Sequence, residues 1–175
     1  MGFLKFYQVG WVMVKSAYIH IPFCKQKCKY CSFVSFANIN RIKDYIEALC
    51  KEIRYYYKGE TLDTLYFGGG TPSLVETSLL KEILLKFNLS KNCEITLELN
   101  PDDATFDYLE RLHEIGINRL SIGSQTFNDN TLKLIGRRHS AAQTIQAVKQ
   151  AKQVGFKNIS LDLIYGLPTE FDISK

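Results

Sequence analysis

The sequence predicts an α/β fold, a partial (β/α) barrel of parallel strands that breaks off after about the fifth strand. Three observations predict it. Short β-branched or aromatic runs alternate with stretches of helical period, which implies parallel strands joined by right-handed crossovers. Cys24, Gly68 to Thr71, Glu98, Gln125 and Asp162 fall at or just past the C-terminal ends of successive strands. An open doubly wound sheet accommodates the alternation equally well, but such a ring of polar residues is how the active face of a barrel looks. Lys175 follows the fifth strand with no covering helix between, so the chain is expected to be a truncated barrel.

Each element has its own signal. Ala17-Tyr18-Ile19-His20-Ile21, closed by Pro22, reads as the first strand. Between Arg41 and Tyr57 the apolar residues Ile42, Tyr45, Ile46, Leu49 and Ile53 recur at intervals of three and four, the helical period. Thr64 to Phe67 is the second strand, stopped by Gly68-Gly69-Gly70, and a helix from about Thr77 to Phe87 follows. Glu94 to Leu99 is the third strand, and a helix from about Thr105 ends at Gly116. Arg119 to Ile122 is the fourth, then a short helix over Thr131 to Ile135. Ser140 and Gln143 have the spacing of a capping box and open a helix that Gly155 stops, before the fifth strand, Ile159 to Ile164.

Composition narrows the function classes. With 46% hydrophobic and 23% charged residues the chain is neither collagen-like nor disordered. A net charge of +4 is too mild to imply a nucleic-acid partner. Three consecutive tyrosines, Tyr55 to Tyr57, cannot share one helical stripe, so one is expected to pack in the core and the others at its edge. No apolar run approaches the roughly 18 residues of a spanning helix, and no secretory cleavage pattern follows the N-terminal apolar residues. A cytoplasmic, reducing setting is therefore expected, where thiols stay free to bind metal. Residues 1–15 read as a leader or a mis-assigned start, with Met13 as the alternative first residue.

Three of the five cysteines, Cys24, Cys28 and Cys31, follow the first strand within eight residues. Three thiolates in a tight loop can hold three irons of a [4Fe–4S] cluster and leave the fourth iron open to another ligand. A zinc site completed by His20 or His139 is the alternative, and a trio of structural thiols a third. Cys50, on the apolar side of its helix, and Cys93, before a strand, read as core or incidental thiols.

Cys24-Lys25-Gln26-Lys27-Cys28-Lys29-Tyr30-Cys31 resembles the signature of the radical S-adenosylmethionine (SAM) superfamily. Further segments occur in order: Tyr18 to Cys24, Phe67 to Ser73, Gly123-Ser124-Gln125, Gly136-Arg137-Arg138-His139 and Asp162 to Pro168. Together they resemble the oxygen-independent coproporphyrinogen III oxidase and haem chaperone (HemW-like) family, from about Ser16 onward. The resemblance implies a [4Fe–4S] cluster on Cys24, Cys28 and Cys31, with SAM on its open iron and Tyr30 near the adenine. Residues 16–175 would then be the N-terminal part of a radical SAM core, without its C-terminal part or an accessory domain.

The same resemblance assigns the other polar residues. Gly69, Gly70 and Thr71 match the segment that hydrogen-bonds the SAM amino group; by themselves the glycines would be a strand-to-helix turn. Glu98 matches a ribose ligand, although a strand-end carboxylate read alone is a solvated group. Gln125, Arg137 and Asp162 match further SAM-contacting positions, and Tyr18 a tyrosine beside the cofactor. A guanidinium at Arg137 suits a carboxylate.

Two departures choose between branches. Where the oxidase branch carries a fourth cysteine, two residues after the third, this chain has Phe33. The longer N-terminal segment of that branch is not recognisable in the 23 residues before Cys24. The first expectation is a haem chaperone that binds haem and passes it to a client haemoprotein. The alternative is an oxidase that uses an electron donor and a 5′-deoxyadenosyl radical to turn two propionates of coproporphyrinogen III into vinyls. A third expectation is a non-functional fragment of either.

Overall fold

Alternating residue types give β1, Ser16–Ile21, two unlike faces: Ala17, Ile19 and Ile21 are buried, while Tyr18 and His20 project from the other side. The structure, a computed structural model, describes residues 15–167. The expected leader, save Lys15, lies outside the described residues, as does Pro168. The remaining strands are β2, Thr61–Gly69; β3, Asn88–Leu99; β4, Arg119–Gln125; and β5, Asn158–Leu163. All neighbours are parallel, in the order β1-β2-β3-β4-β5.

That sequential order distinguishes the two closures. A doubly wound sheet needs a point where the strand order reverses. Here every crossover steps the same way, and right-handed crossovers then stack all helices on one face. The helices are α1, Ile42–Tyr56; α2, Thr77–Leu84; α3, Phe106–Glu114; α4, Asp129–Leu134; and α5, Ala141–Val154. Neighbours α1 and α2, α2 and α3, and α3 and α5 pack together outside the sheet. Between helices and sheet lies one apolar core, which includes Ile46, Leu49 and Ile53 of α1 and the strand residues Ile19, Leu65, Phe67 and Leu97. Each such buried side chain contributes about 1.5–3 kcal/mol, enough to dock a helix whose other faces are charged. The five strands are thus an arc of a (β/α) barrel, and the inner face carries the polar residues.

Several boundaries differ from expectation. β2 starts at Thr61 and runs through Gly68 and Gly69 rather than stopping before them. β3 begins at Asn88, because Asn88 and Leu89 pair through the backbone with Thr61 and Leu62, followed by a register shift between Leu62 and Thr64. Side-chain pattern carries no record of such a ladder. β4 extends to Gln125, β5 starts at Asn158 and ends at Leu163, α2 stops at Leu84, and α4 begins at Asp129 under an Asn128 cap. Leu161 and Leu163 on β5 are exposed, with no helix over them among the described residues.

Tyr57 packs edge-on against Phe87, 5.0 Å between centroids, while Tyr55 and Tyr56 stay exposed. Cys50 and Cys93 are buried in the core. Among the described residues no helix is long and apolar enough to cross a membrane.

Candidate functional site

The cysteine loop leaves β1 and is closed at its base by backbone. Phe36 N–H donates to Pro22 O at 2.7 Å, and Cys24 N–H donates to Phe36 O at 3.1 Å. Phe23 at the same base meets the Tyr45 ring edge-on at 5.3 Å. Inside the loop Cys31 N–H donates to Cys28 O at 3.1 Å and closes a tight turn. The far end of the loop leans on the α4–α5 connection, where Lys29 N–H donates to Ile135 O at 3.0 Å and Gln26 Nε2 to Gly136 O at 3.2 Å. Cys24, Cys28 and Cys31 are free and half-buried, and they form one wall of a cavity of ≈ 190 Å³.

The C-terminal ends of the strands line the same cavity. Gly70 N–H donates to Ile21 O at 2.8 Å, and a side chain there would meet the Phe23 backbone at 2.7 Å. Gly69 has φ +117°, with His20 where a Cβ would sit. These glycines are therefore required by close packing of backbone and ring, whatever else the cavity holds. Glu98 accepts from Tyr66 OH and from Gly69 N–H, both at 3.0 Å. Burial nevertheless raises its carboxyl above the ordinary value, against the lowering effect of those two bonds and with a small push from Asp162. Asp162 accepts from Ser121 Oγ at 2.9 Å. Gln125 is the non-glycine residue with positive φ among those described, at 66°. Arg137 reaches from the α4–α5 connection, and its Nη2 donates to Asn100 Oδ1 at 2.6 Å and Gly123 O at 2.7 Å.

The cavity thus gathers Cys24, Cys28, Cys31, Tyr30, Gly69, Gly70, Thr71, Glu98, Gln125, Arg137 and Asp162. Tyr18 stands apart from the wall. Its ring stacks on Tyr66 at 5.9 Å, its hydroxyl lies 3.2 Å from His20 Nδ1, and burial, then the Glu98 charge, push its pKa up to about 12. It still borders the site, because Tyr18, Tyr66 and Glu98 converge over the space where Gly68 lacks a side chain. Asn100, Asp102, Ser121, Gly123 and Arg138 also line the cavity, although the sequence assigns them no role there. Ser121 and Gly123 precede Gln125 by four and two residues, so the alternation of β4 could have found them. Nothing in the local sequence marks Asp102.

Two buried polar atoms of the wall, Asp102 Oδ1 and Arg137 Nε, have no hydrogen-bond partner. Buried groups of this kind are normally satisfied, so both suit a polar ligand. A single zinc would need its donors within about 2.3 Å of one point. Among the described residues no three His, Cys, Asp or Glu side chains converge in that way. Neither His20 nor His139 lines the cavity, and His139 Nε2 is engaged 3.2 Å from Ser124 O.

A sequence profile of the radical SAM superfamily matches residues 18–174. The chain belongs to the radical SAM superfamily. It is 41% identical over 164 residues to the haem chaperone HemW of Bacillus subtilis, covering 89% of this chain and 43% of that one. For HemW of Escherichia coli the identity is 37%, over the same shares. The oxygen-independent coproporphyrinogen-III oxidase-like protein HemZ of Bacillus subtilis is 39% identical, with 89% of this chain and 34% of HemZ covered. Among solved structures, the coproporphyrinogen III oxidase HemN of Escherichia coli superposes with a TM-score of 0.79 at 31% identity, covering 86% of this chain and 37% of that one. The chain therefore spans less than half the length of the relatives it matches. Its radical SAM domain implies a [4Fe–4S] cluster and SAM as cofactors, and three thiols beside a polar cavity are a fitting donor set for both.

Proposed function

We propose that this chain carries the cofactor-binding part of a radical SAM haem chaperone, which binds haem and hands it to a client haemoprotein. The observation that carries the reading is the cavity itself, which the three cysteines line together with Glu98, Gln125, Arg137 and Asp162. The similarity to HemW proteins supports the chaperone branch, as does Phe33 where the oxidase branch has a further cysteine. Residues 16–175 act as the N-terminal part of the radical SAM core, in a cytoplasmic setting, with an electron donor and a client as partners.

Each residue has a role that its surroundings permit. Cys24, Cys28 and Cys31 bind three irons and leave one open. When bound, the cluster and SAM together supply one-electron chemistry. Gly69, Gly70 and Thr71 present backbone and hydroxyl groups to the SAM amino group. Glu98, already positioned by Tyr66 and Gly69, retains lone pairs for a pair of ribose hydroxyls. Arg137 supplies positive charge for a carboxylate, Gln125 and Asp162 complete the polar wall, Tyr30 flanks the adenine, and Tyr18 backs Glu98.

Anaerobic reconstitution tests the reading. The protein is expected to hold about four irons and four sulfides per chain, and Cys24→Ala, Cys28→Ala or Cys31→Ala to abolish loading. A protein that binds zinc and refuses iron would sink it. The structural likeness to HemN favours a second reading, decarboxylation of coproporphyrinogen III. Carbon dioxide released from that substrate with SAM and reductant would replace the chaperone assignment; haem transfer to an apo-haemoprotein without it would sustain it.

A further inference from the structure

Asn100 follows β3 directly and joins two side chains that reach the cysteines. Its partner Arg137 has donors only, so the atom 2.6 Å from Nη2 must be the amide oxygen. The amide nitrogen is thereby turned to Thr71 Oγ1 at 3.5 Å. With that lone pair engaged, the single hydroxyl proton of Thr71 points to Cys24 Sγ, 3.5 Å away. Arg137 Nη1, on the same clamped guanidinium, lies 3.6 Å from Cys28 Sγ. Gly123 leaves room for this arrangement, since a Cβ there would be 3.2 Å from Nη2. The hub is itself anchored: Asn100 N–H donates to Ser73 Oγ, which donates to Asp103.

We propose that Asn100 is a positioning residue that aims the Thr71 hydroxyl and the Arg137 guanidinium at the Cys24 and Cys28 sulfurs, and so raises the reduction potential of a cluster held there. The inference rests on the cluster reading above. Hydrogen bonds to ligating sulfur withdraw electron density and favour the state that holds one more electron. The Arg137 bond is charge-assisted and acts more strongly than the neutral one from Thr71.

The test is a redox titration of protein reconstituted anaerobically with ferrous iron and sulfide. Dithionite supplies one electron per cluster in the presence of mediator dyes, no bond is made or broken, and the paramagnetic signal of the reduced cluster reports the potential. Asn100→Ala and Thr71→Val are expected to keep the iron content of the unsubstituted protein and to lower the potential, Asn100→Ala further. About tenfold less reduced cluster at a fixed potential is the expected scale for Asn100→Ala, which is 59 mV for a one-electron couple. Because Asn100 acts in part through Thr71, the double variant is expected to shift less than the sum of the single shifts. Unchanged potentials in both single variants, or fully additive shifts, would overturn the inference while the cluster reading stands. An unsubstituted protein that holds no iron would remove both, so iron content tells the two failures apart. Should Asn100→Ala itself fail to load, Thr71→Val and Arg137→Gln decide, and unchanged potentials in that pair overturn it.

Discussion

His139 is a buried imidazole wedged behind the cavity, with its Nε2 on Ser124 O and its Nδ1 unpartnered. Burial, then the Arg137 guanidinium, hold its pKa below the ordinary value, while Ser124 O and Asp102 pull the other way and Arg138 adds to the lowering. The native state therefore resists a proton that the unfolded chain accepts. Stability from this group is complete above about pH 6.5 and declines as pH falls toward the lowered native value. Denaturation midpoints measured across that window are expected to fall with acidification, and His139→Gln to flatten the decline. Parallel curves for the two proteins would show that His139 is not the group responsible. Its histidine identity was plain in the sequence, and so was its place after Gly136-Arg137-Arg138. Its environment was not, because Ser124 comes from β4 and Asp102 from the β3–α3 connection, both remote in sequence.

Among the elements, α5 was the most legible. Ser140 Oγ accepts from Gln143 N–H, and Gln143 Oε1 accepts from Ser140 N–H at 2.8 Å, the reciprocal pair that their spacing predicts. Ser140→Ala is expected to cost about 1 kcal/mol, read as a lowered urea midpoint with an unchanged slope. An effect below a few tenths would mean that packing of Thr144, Ala147 and Ala151 alone holds the helix start. Contrast β3, where Asn88-Leu89-Ser90-Lys91-Asn92 carries little strand propensity and pairs only because Thr61 and Leu62 offer backbone partners. Contrast also the turns at Pro72–Leu74 and Pro101–Asp103, single 3-10 turns too short to leave a periodic signal. The candidate site divides along the same line. Residues at strand ends, such as Glu98 and Gln125, could be found by counting along a strand. Asp102 and Arg138 could not, because their relevance arises from which connections meet at the rim.

Across the whole molecule, four segments remote in sequence are locked together at that rim by ion pairs and a hydrogen bond. Lys25 of the cysteine loop lies 3.0 Å from Asp103 Oδ1, and Ser73 Oγ donates to Oδ2 at 2.9 Å. Arg138 contacts Asp102 at 2.8 Å and Asp103 at 3.4 Å. The Asp103 side chain is 6% exposed, against 22% for Arg138 and 45% for Lys25, so its charge depends on these partners rather than on water. Removing it would leave Arg138 with one carboxylate and take away the ion pair that ties Lys25 of the cysteine loop to the strand ends. Asp103→Ala is expected to destabilise by about 2–4 kcal/mol, between the values for exposed and fully buried pairs. Because the group is buried, the loss should be nearly the same at low and high salt. The exposed Asp107–Arg111 pair on α3, at 2.8 Å, is the internal control: Asp107→Ala should cost under about 1 kcal/mol, and less still in salt. Hydrogen exchange adds the spatial test, since the amides of Cys24, Lys29 and Cys31 are expected to lose protection in Asp103→Ala while those of α1 keep theirs. Uniform loss of protection would mean that Asp103 supports the fold at large, and that the loop is seated by its backbone bonds to Phe36 and Ile135 instead.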